Sequence, residues 1–172
     1  MSALSDFRAD LQRYPRSAWI THRAIWAIAA YRFARWADQL PQPARLPLKA
    51  LSVAITLFAR VTTNIELPTR AEIGPGLRIG HAGPIVVSET SKIGRNCTMG
   101  VGIVLGARAD SPQAPIVGDD CRFGAYAVAL GPITIGDRAF VGAMSLVIHD
   151  VEPGMIVAGV PAKSLRLRRE GE

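Results

Sequence analysis

A mainly β fold, a three-sided prism of short parallel strands behind an α-helical segment, is predicted by three observations. An aliphatic or aromatic residue followed by glycine recurs at steps of six: Ile93-Gly94, Met99-Gly100, Leu105-Gly106, Val117-Gly118, Phe123-Gly124, Ile135-Gly136 and Val141-Gly142. Ala129 and Val147 extend the register, and Ile73-Gly74 and Ile79-Gly80 keep the same step in a shifted frame. The first third of the chain lacks this repeat and spaces its apolar residues by three and four instead. A period of six fits neither an α-helix nor an ordinary strand. Each hexapeptide supplies one strand and one corner, so three repeats make one coil, with the aliphatic residue stacked inward.

The element boundaries follow in order. Residues 1–62 form the helical segment. Within it Trp19, Ile25, Trp26, Ala29, Phe33, Trp36, Ala37 and Leu40 mark one face of a helix over 17–40, stopped by Pro41 and Pro43. A second helix spans 46–61, and its apolar core at 50–59 is too short to cross a bilayer. Residues 63–164 form the prism, interrupted by an insertion loop at 106–116 that has no strand character. Such a loop projects outward and tends to build a binding face. Residues 165–172 are a short tail. Glycine and small residues at the corners serve unusual torsions or close packing, and small fifth positions (Cys97, Cys121, Ala127, Ala139, Ser145) mark the cysteines as corner fillers.

Composition narrows the function. The chain has 172 residues, 49% of them hydrophobic, with 20 Lys+Arg against 14 Asp+Glu. That is enough to bury one core and excludes a disordered chain. No run of about 18 apolar residues appears, which argues against a membrane span, and MSALSDFRAD lacks the apolar stretch of a secretory signal. A cytoplasmic location is expected, with the inner membrane surface as an added option. Residues 1–60 hold nine basic and three acidic residues, the whole of the +6 net charge, so the prism is neutral. A neutral prism with few aromatics argues against nucleic acid. The basic helices with Trp19, Trp26 and Trp36 suit either packing between trimers or an anionic membrane surface.

The repeats, with IGPGLRIGH, LGPITIGDRAFVGAMSLV and a closing AGVPAK, resemble the left-handed parallel β-helix acyltransferases. The resemblance is to serine O-acetyltransferases and the short colanic-acid-type enzymes of exopolysaccharide gene clusters, and AYRFARW extends it into the helices. It implies acetyl transfer from acetyl-CoA to a hydroxyl, without a metal, in a homotrimer with active sites between prisms. A dimer of trimers through the N-terminal helices is a further option.

Attack of an alcohol on a thioester needs a general base, most often histidine. His81, in a corner of small residues just before the register shift, matches the family's catalytic histidine; His22 and His149 are read as packing or edge residues. Glu66, upstream by slightly less than three hexapeptides, matches the family's aspartate and either orients His81 from an adjacent coil or is solvated. Glu89 matches a family glutamate that orients a substrate amine or orders a loop. The Gly106-Ala107 corner matches the family's oxyanion donors. No Ser or Cys is credibly activated as a nucleophile, which favours direct transfer. Gly106, Gly124-Ala125 and Gly142-Ala143 follow one another at three hexapeptides, one coil, and are expected to stack as one slot for the pantetheine arm. Lys163 matches a basic position near the nucleotide end, while Arg166, Arg168 and Arg169 either add charge there or form a solvated tail.

Departures from the serine enzymes bear on the acceptor. Gly80 stands where they carry aspartate before the histidine, and Gln113-Ala114-Pro115 where they carry Arg-His-Pro to hold the serine carboxylate. Arg108 is the available substitute. Asp10 and Tyr14 fall near the segment of the family's amino-acid-binding aspartate, where a deletion blurs the match. The Arg-Arg-Glu-Gly-Glu ending lacks the longer tail that docks into cysteine synthase, so that complex is not expected. The leading expectation is an O-acetyltransferase acting on a sugar of an exopolysaccharide precursor, with serine O-acetylation as the alternative. A scaffold or zinc enzyme is a third class, disfavoured because only His81 is well placed for a metal.

Overall fold

The structure, a computed structural model, describes residues 3–169. Helices α1 (Ala3–Gln12), α2 (Ala18–Thr21), α3 (Ala24–Asp38) and α4 (Arg45–Thr63) lead into a three-sided parallel β-helix. The first face stacks β1 (Ile65–Glu66), β4 (Ile85–Val87), β7 (Val104–Gly106), β10 (Val128–Leu130) and β13 (Leu146–Val147). The second stacks β2 (Glu72–Ile73), β5 (Lys92–Ile93), β8 (Ile116–Val117) and β11 (Thr134–Ile135). The third stacks β3 (Arg78–Ile79), β6 (Thr98–Met99), β9 (Arg122–Phe123), β12 (Phe140–Val141) and β14 (Met155–Gly159), with β15 (Ala162–Leu167) added antiparallel. The strand β15 runs past residue 164, so the expected tail begins later; residues 170–172 lie outside the described residues.

The period of six is a ladder of buried side chains. On the third face Ile79, Met99, Phe123, Val141 and Val157 stack in sequence, each no more than 3% exposed. Coil length varies, however. Val86 lies over Val104 and Ala129 over Val147, each pair separated by three hexapeptides. Leu105 lies over Ala129, four hexapeptides on, and Glu72 lies over Lys92, three hexapeptides and two further positions on. The two extra positions fall in the corner between β3 and β4, where Ile85 and Val87 both point inward. That corner is the shifted frame, and His81 sits on it.

The repeated glycines answer close packing rather than unusual torsion. Left-handed torsions are carried instead by residues outside the repeat glycines, among them Asn96, Asp120, Tyr126, Arg138 and Met144 and the glycines Gly76, Gly102 and Gly131. A Cβ on Gly124 would sit 2.5 Å from the backbone nitrogen of Ala143 in the next coil. Gly124→Ala is therefore expected to cost about 1–3 kcal/mol, read as a lower urea midpoint with unchanged slope; an unchanged midpoint would contradict this account.

The helices close the prism's N-terminal end. The first coil has no coil before it, so its backbone groups need other partners. Side chains provide them. Arg32 donates to Ile73 O and Gly74 O (both 2.7 Å), and the Leu77 N–H donates to Asp10 Oδ1 (2.8 Å). The Tyr31 hydroxyl donates to Ala71 O (2.7 Å) and accepts from the Ile73 N–H (3.1 Å). Arg13 donates to Gly76 O (2.7 Å) and Cys97 O (3.1 Å). Arg13 and Arg32, both counted in the basic excess of the helices, are thus structural, and Arg32 forms a buried ion pair with Asp10 (2.8 Å).

Two helix expectations change. The run 17–40 is broken at His22, whose backbone is extended, into α2 and α3. The face of α3 that joins the core is Ala24, Ala27, Ile28 and Tyr31, whereas Trp26 is exposed and Phe33 and Trp36 line an outer groove with Phe7 of α1. Small side chains let the helix approach the prism end; the bulky ones are left outside. Helix α4 is also longer and more apolar than its uninterrupted core at 50–59 indicates. Over 19 residues α4 has a mean hydropathy of 1.3 in its best window, long and apolar enough by length and composition to cross a membrane. The uninterrupted run stops at Lys49 and Arg60, whereas the longer window takes in both charges, and Ser52, Thr62 and Thr63 return their hydroxyls to helix carbonyls.

Candidate active site

The edge between the third and first faces carries the best-formed candidate site. Gly80, Gly100, Gly124 and Gly142 follow one another there, each N–H donating to the next coil (Met99, Phe123, Val141 and Val157 carbonyls, 2.8–2.9 Å). Ala125 and Ala143 stand beside them, leaving a narrow track of small residues along the edge. At its far end Lys163 pairs with Ala158, the residue that continues the glycine column. At its near end is His81, exposed on the widened corner.

The His81 corner is held from behind by a residue the periodicity does not single out. Tyr14 places its hydroxyl against Ile79, accepting from the N–H (2.7 Å) and donating to the carbonyl (3.0 Å). Burial pushes the Tyr14 phenol above its ordinary value, so it stays protonated and able to donate. The His22 ring packs edge-on against Tyr14 at 5.8 Å. Ile79 lies on the strand that leads into His81, so Tyr14 anchors the base, and Asp10 is occupied by Arg32 and Leu77. Both side chains are engaged within the fold rather than turned to an amino acid.

Two expected groupings are not present. Gly106 does not stack with Gly124 and Gly142. It ends β7 on the edge between the first and second faces and pairs with Leu130, because the insertion lengthens its coil from three hexapeptides to four. Ala107 goes with it. Glu66 does not hydrogen-bond the His81 ring either. The first coil is two positions longer than three hexapeptides, so Glu66 lies in β1 on the first face opposite Val86, and its carboxylate is held by Arg60 at 2.9 Å. Among the described residues no carboxylate hydrogen-bonds His81.

The remaining candidates gather on the edge between the first and second faces. Glu89 pairs with Arg70 at 3.1 Å, both well exposed. Arg108 is gripped by Asp110 through two hydrogen bonds, 2.6 and 3.0 Å, which hold the Asp110 carboxyl below its usual range. Gln113 is exposed beside Thr90 and Lys92. His149 is an exposed residue after β13. Arg168 donates to Asp120 O and Arg138 O (3.0 and 3.1 Å), tying the chain end to the edge between the second and third faces. Cys97 and Cys121 are buried with each Sγ donating to a carbonyl of the next coil (3.2 Å). The neighbouring Cys121 thiol, then burial, pushes the Cys97 thiol upward, while the same pairing pushes Cys121 down; both sulfurs are buried inside the prism, away from any substrate.

Comparison with known proteins places this arrangement. A family model described as the hexapeptide repeat of succinyl-transferase matches residues 116–143. A serine acetyltransferase of Mycobacterium tuberculosis is 33% identical over 165 residues, covering 92% of this chain and 69% of that protein. The chain belongs to the serine acetyltransferase family of hexapeptide-repeat acyltransferases. The serine acetyltransferase of Bacillus licheniformis is 38% identical over 112 residues, 64% of this chain and 52% of that one. Among solved structures, the Neisseria gonorrhoeae serine acetyltransferase superposes with a TM-score of 0.79 at 29% identity, covering 98% of this chain and 65% of that one. A serine acetyltransferase in complex with CoA superposes with a TM-score of 0.77 at 29% identity, covering 95% of this chain and 68% of that one. The chain thus spans about half to two thirds of the length of these family members, and the prism is left-handed as in the family.

Proposed function

We propose that the protein transfers acetyl from acetyl-CoA to an acceptor hydroxyl, with His81 as general base. The observation that carries this is the third-to-first edge, where an exposed histidine heads a track of glycine and alanine that ends at Lys163. A thin pantetheine arm fits a track with no side chain larger than a methyl group, and Lys163 meets the nucleotide phosphates as a point charge. His81 takes the hydroxyl proton as the oxygen attacks the thioester carbon; the C–S bond then breaks and the imidazolium returns that proton to the sulfur, which leaves as CoA thiol. No acyl-enzyme is involved.

The second edge, with Gly106, Ala107, Glu89 and the loop residues, lies one side of the triangle away, at most about 20 Å for a hexapeptide at ~3.3 Å per residue. In a trimer of side-by-side prisms, one subunit's His81 edge meets a neighbour's loop edge, which would bring both sets of candidates to one site. A homotrimer is therefore the assembly we favour.

For the acceptor, the relatives support L-serine; a sugar of an exopolysaccharide precursor has no support from them. One observation favours a second reading, an acceptor without an α-carboxylate: the only cation in the loop, Arg108, is engaged by Asp110, and Gln113 is neutral. Thiol release from acetyl-CoA separates the two. Turnover with L-serine above acceptor-free hydrolysis is expected; turnover with sugar acceptors and none with serine would establish the second reading.

A further inference from the structure

Helix α4 presents its two faces the wrong way round for a core helix. Ser52, Ala59 and Thr63 are the buried positions against the rest of the chain, while Leu51, Val53, Ile55, Leu57, Phe58 and Val61 are exposed, Val61 at 84%. At about 100° per residue these exposed side chains sweep an arc of roughly 200° with no charged residue inside it. Only 17% of the apolar window is buried. The apolar surface continues beyond the helix: the Trp26 ring lies 6.4 Å from Phe58, and the Trp26 Nε1–H donates to Trp19 O at 3.0 Å. Trp19 and Trp26 are themselves nearly half exposed.

The rim of this surface is basic. α4 carries Arg45, Lys49 and Arg60 and no acidic residue, and Arg23 reaches its C-terminal end through Thr62 O at 3.4 Å. Two carboxylates face these four cations: Asp38 beside Lys49 (3.1 Å) and Arg45 (3.7 Å), and Glu66 beside Arg60. We propose that the outer face of α4, with Trp19 and Trp26, docks on an anionic phospholipid surface. A wide apolar face with tryptophan at its border and cations at its rim is the composition of a helix lying in the interface. A second copy of the chain fits less well, because symmetry-related helices without acidic residues bring like charges together. The helix lies on the bilayer rather than across it. Its Ser52, Ala59 and Thr63 side stays packed against the rest of the chain, so lipid cannot surround it.

Flotation of the full chain with vesicles tests it, using phosphatidylcholine alone and phosphatidylcholine mixed with phosphatidylglycerol. Binding to the anionic vesicles, weakened by added salt, is expected, with little binding to phosphatidylcholine alone. The double variant Leu57→Ser, Phe58→Ser changes only exposed side chains and is expected to bind at least about tenfold more weakly, at unchanged mass by light scattering. No binding by the unaltered chain overturns the proposal, as does binding that the double variant leaves intact. Loss of the oligomer in the double variant also overturns it and assigns the face to contacts between copies.

Discussion

His81→Ala is expected to lower kcat for acetyl transfer by about 10²–10⁴-fold, the usual contribution of a positioned general base. The Michaelis constant for acetyl-CoA is expected to change little, since the track of Gly100, Gly124 and Gly142 that we assign to the pantetheine arm does not involve the ring. Folding is expected to survive. The ring is exposed, and the corner is fixed through the backbone of Ile79 by Tyr14 rather than through the imidazole. Steady-state kinetics with both substrates varied, alongside far-UV circular dichroism, gives the answer. A folded His81→Ala enzyme with unaltered kcat would remove the base from the mechanism and leave the edge as a binding track only.

What the sequence reveals and what it hides follow from the same ladder. Each inward residue has to be apolar and each strand-ending glycine has to be small, because the next coil lies within van der Waals contact, so the repeat is written at almost every sixth position. Coil assignment is not written there. Grouping Gly106 with Gly124 and Gly142 assumes that every coil takes three hexapeptides, and an outward loop lengthens a coil without leaving any trace in the step of six. The two-position widening at His81 is visible as the shifted frame of Ile73 and Ile79, which is why the corner can be singled out. Partners of charged side chains are not visible at all. Glu89 goes to Arg70 because of folded proximity, and no periodicity encodes that; Glu66 goes to Arg60 and Arg108 to Asp110, near neighbours in sequence that the step of six does not single out. The helices are harder still. Aromatic spacing suggests a core face in α3, but the prism end admits mainly alanines, with Ile28 and Tyr31, so the tryptophans go outward.

Arg32→Ala is expected to destabilise the protein by about 3–5 kcal/mol, the largest stability effect of any single substitution considered. Asp10 is 1% exposed and Arg32 5%. Removing the guanidinium leaves a buried carboxylate with one remaining donor, the Leu77 N–H, and strips the carbonyls of Ile73 and Gly74 of their partner. A buried ion pair by itself is weak support for stability, since replacing both members with apolar residues is often neutral. The comparison is therefore sharper with the double variant Asp10→Leu, Arg32→Met. If the pair mattered only as a pair, the double variant would recover wild-type stability. Here both residues also stand in for the missing coil before β2 and β3, so three backbone groups stay unsatisfied in the double variant as well, each costing about 1–3 kcal/mol. The double variant is expected to remain less stable than wild type by at least about 2 kcal/mol. Urea unfolding at fixed protein concentration measures both, the concentration being held because an oligomer's stability depends on it. Full recovery in the double variant would show that the prism end tolerates open backbone groups and that the helices cap it through apolar contact alone.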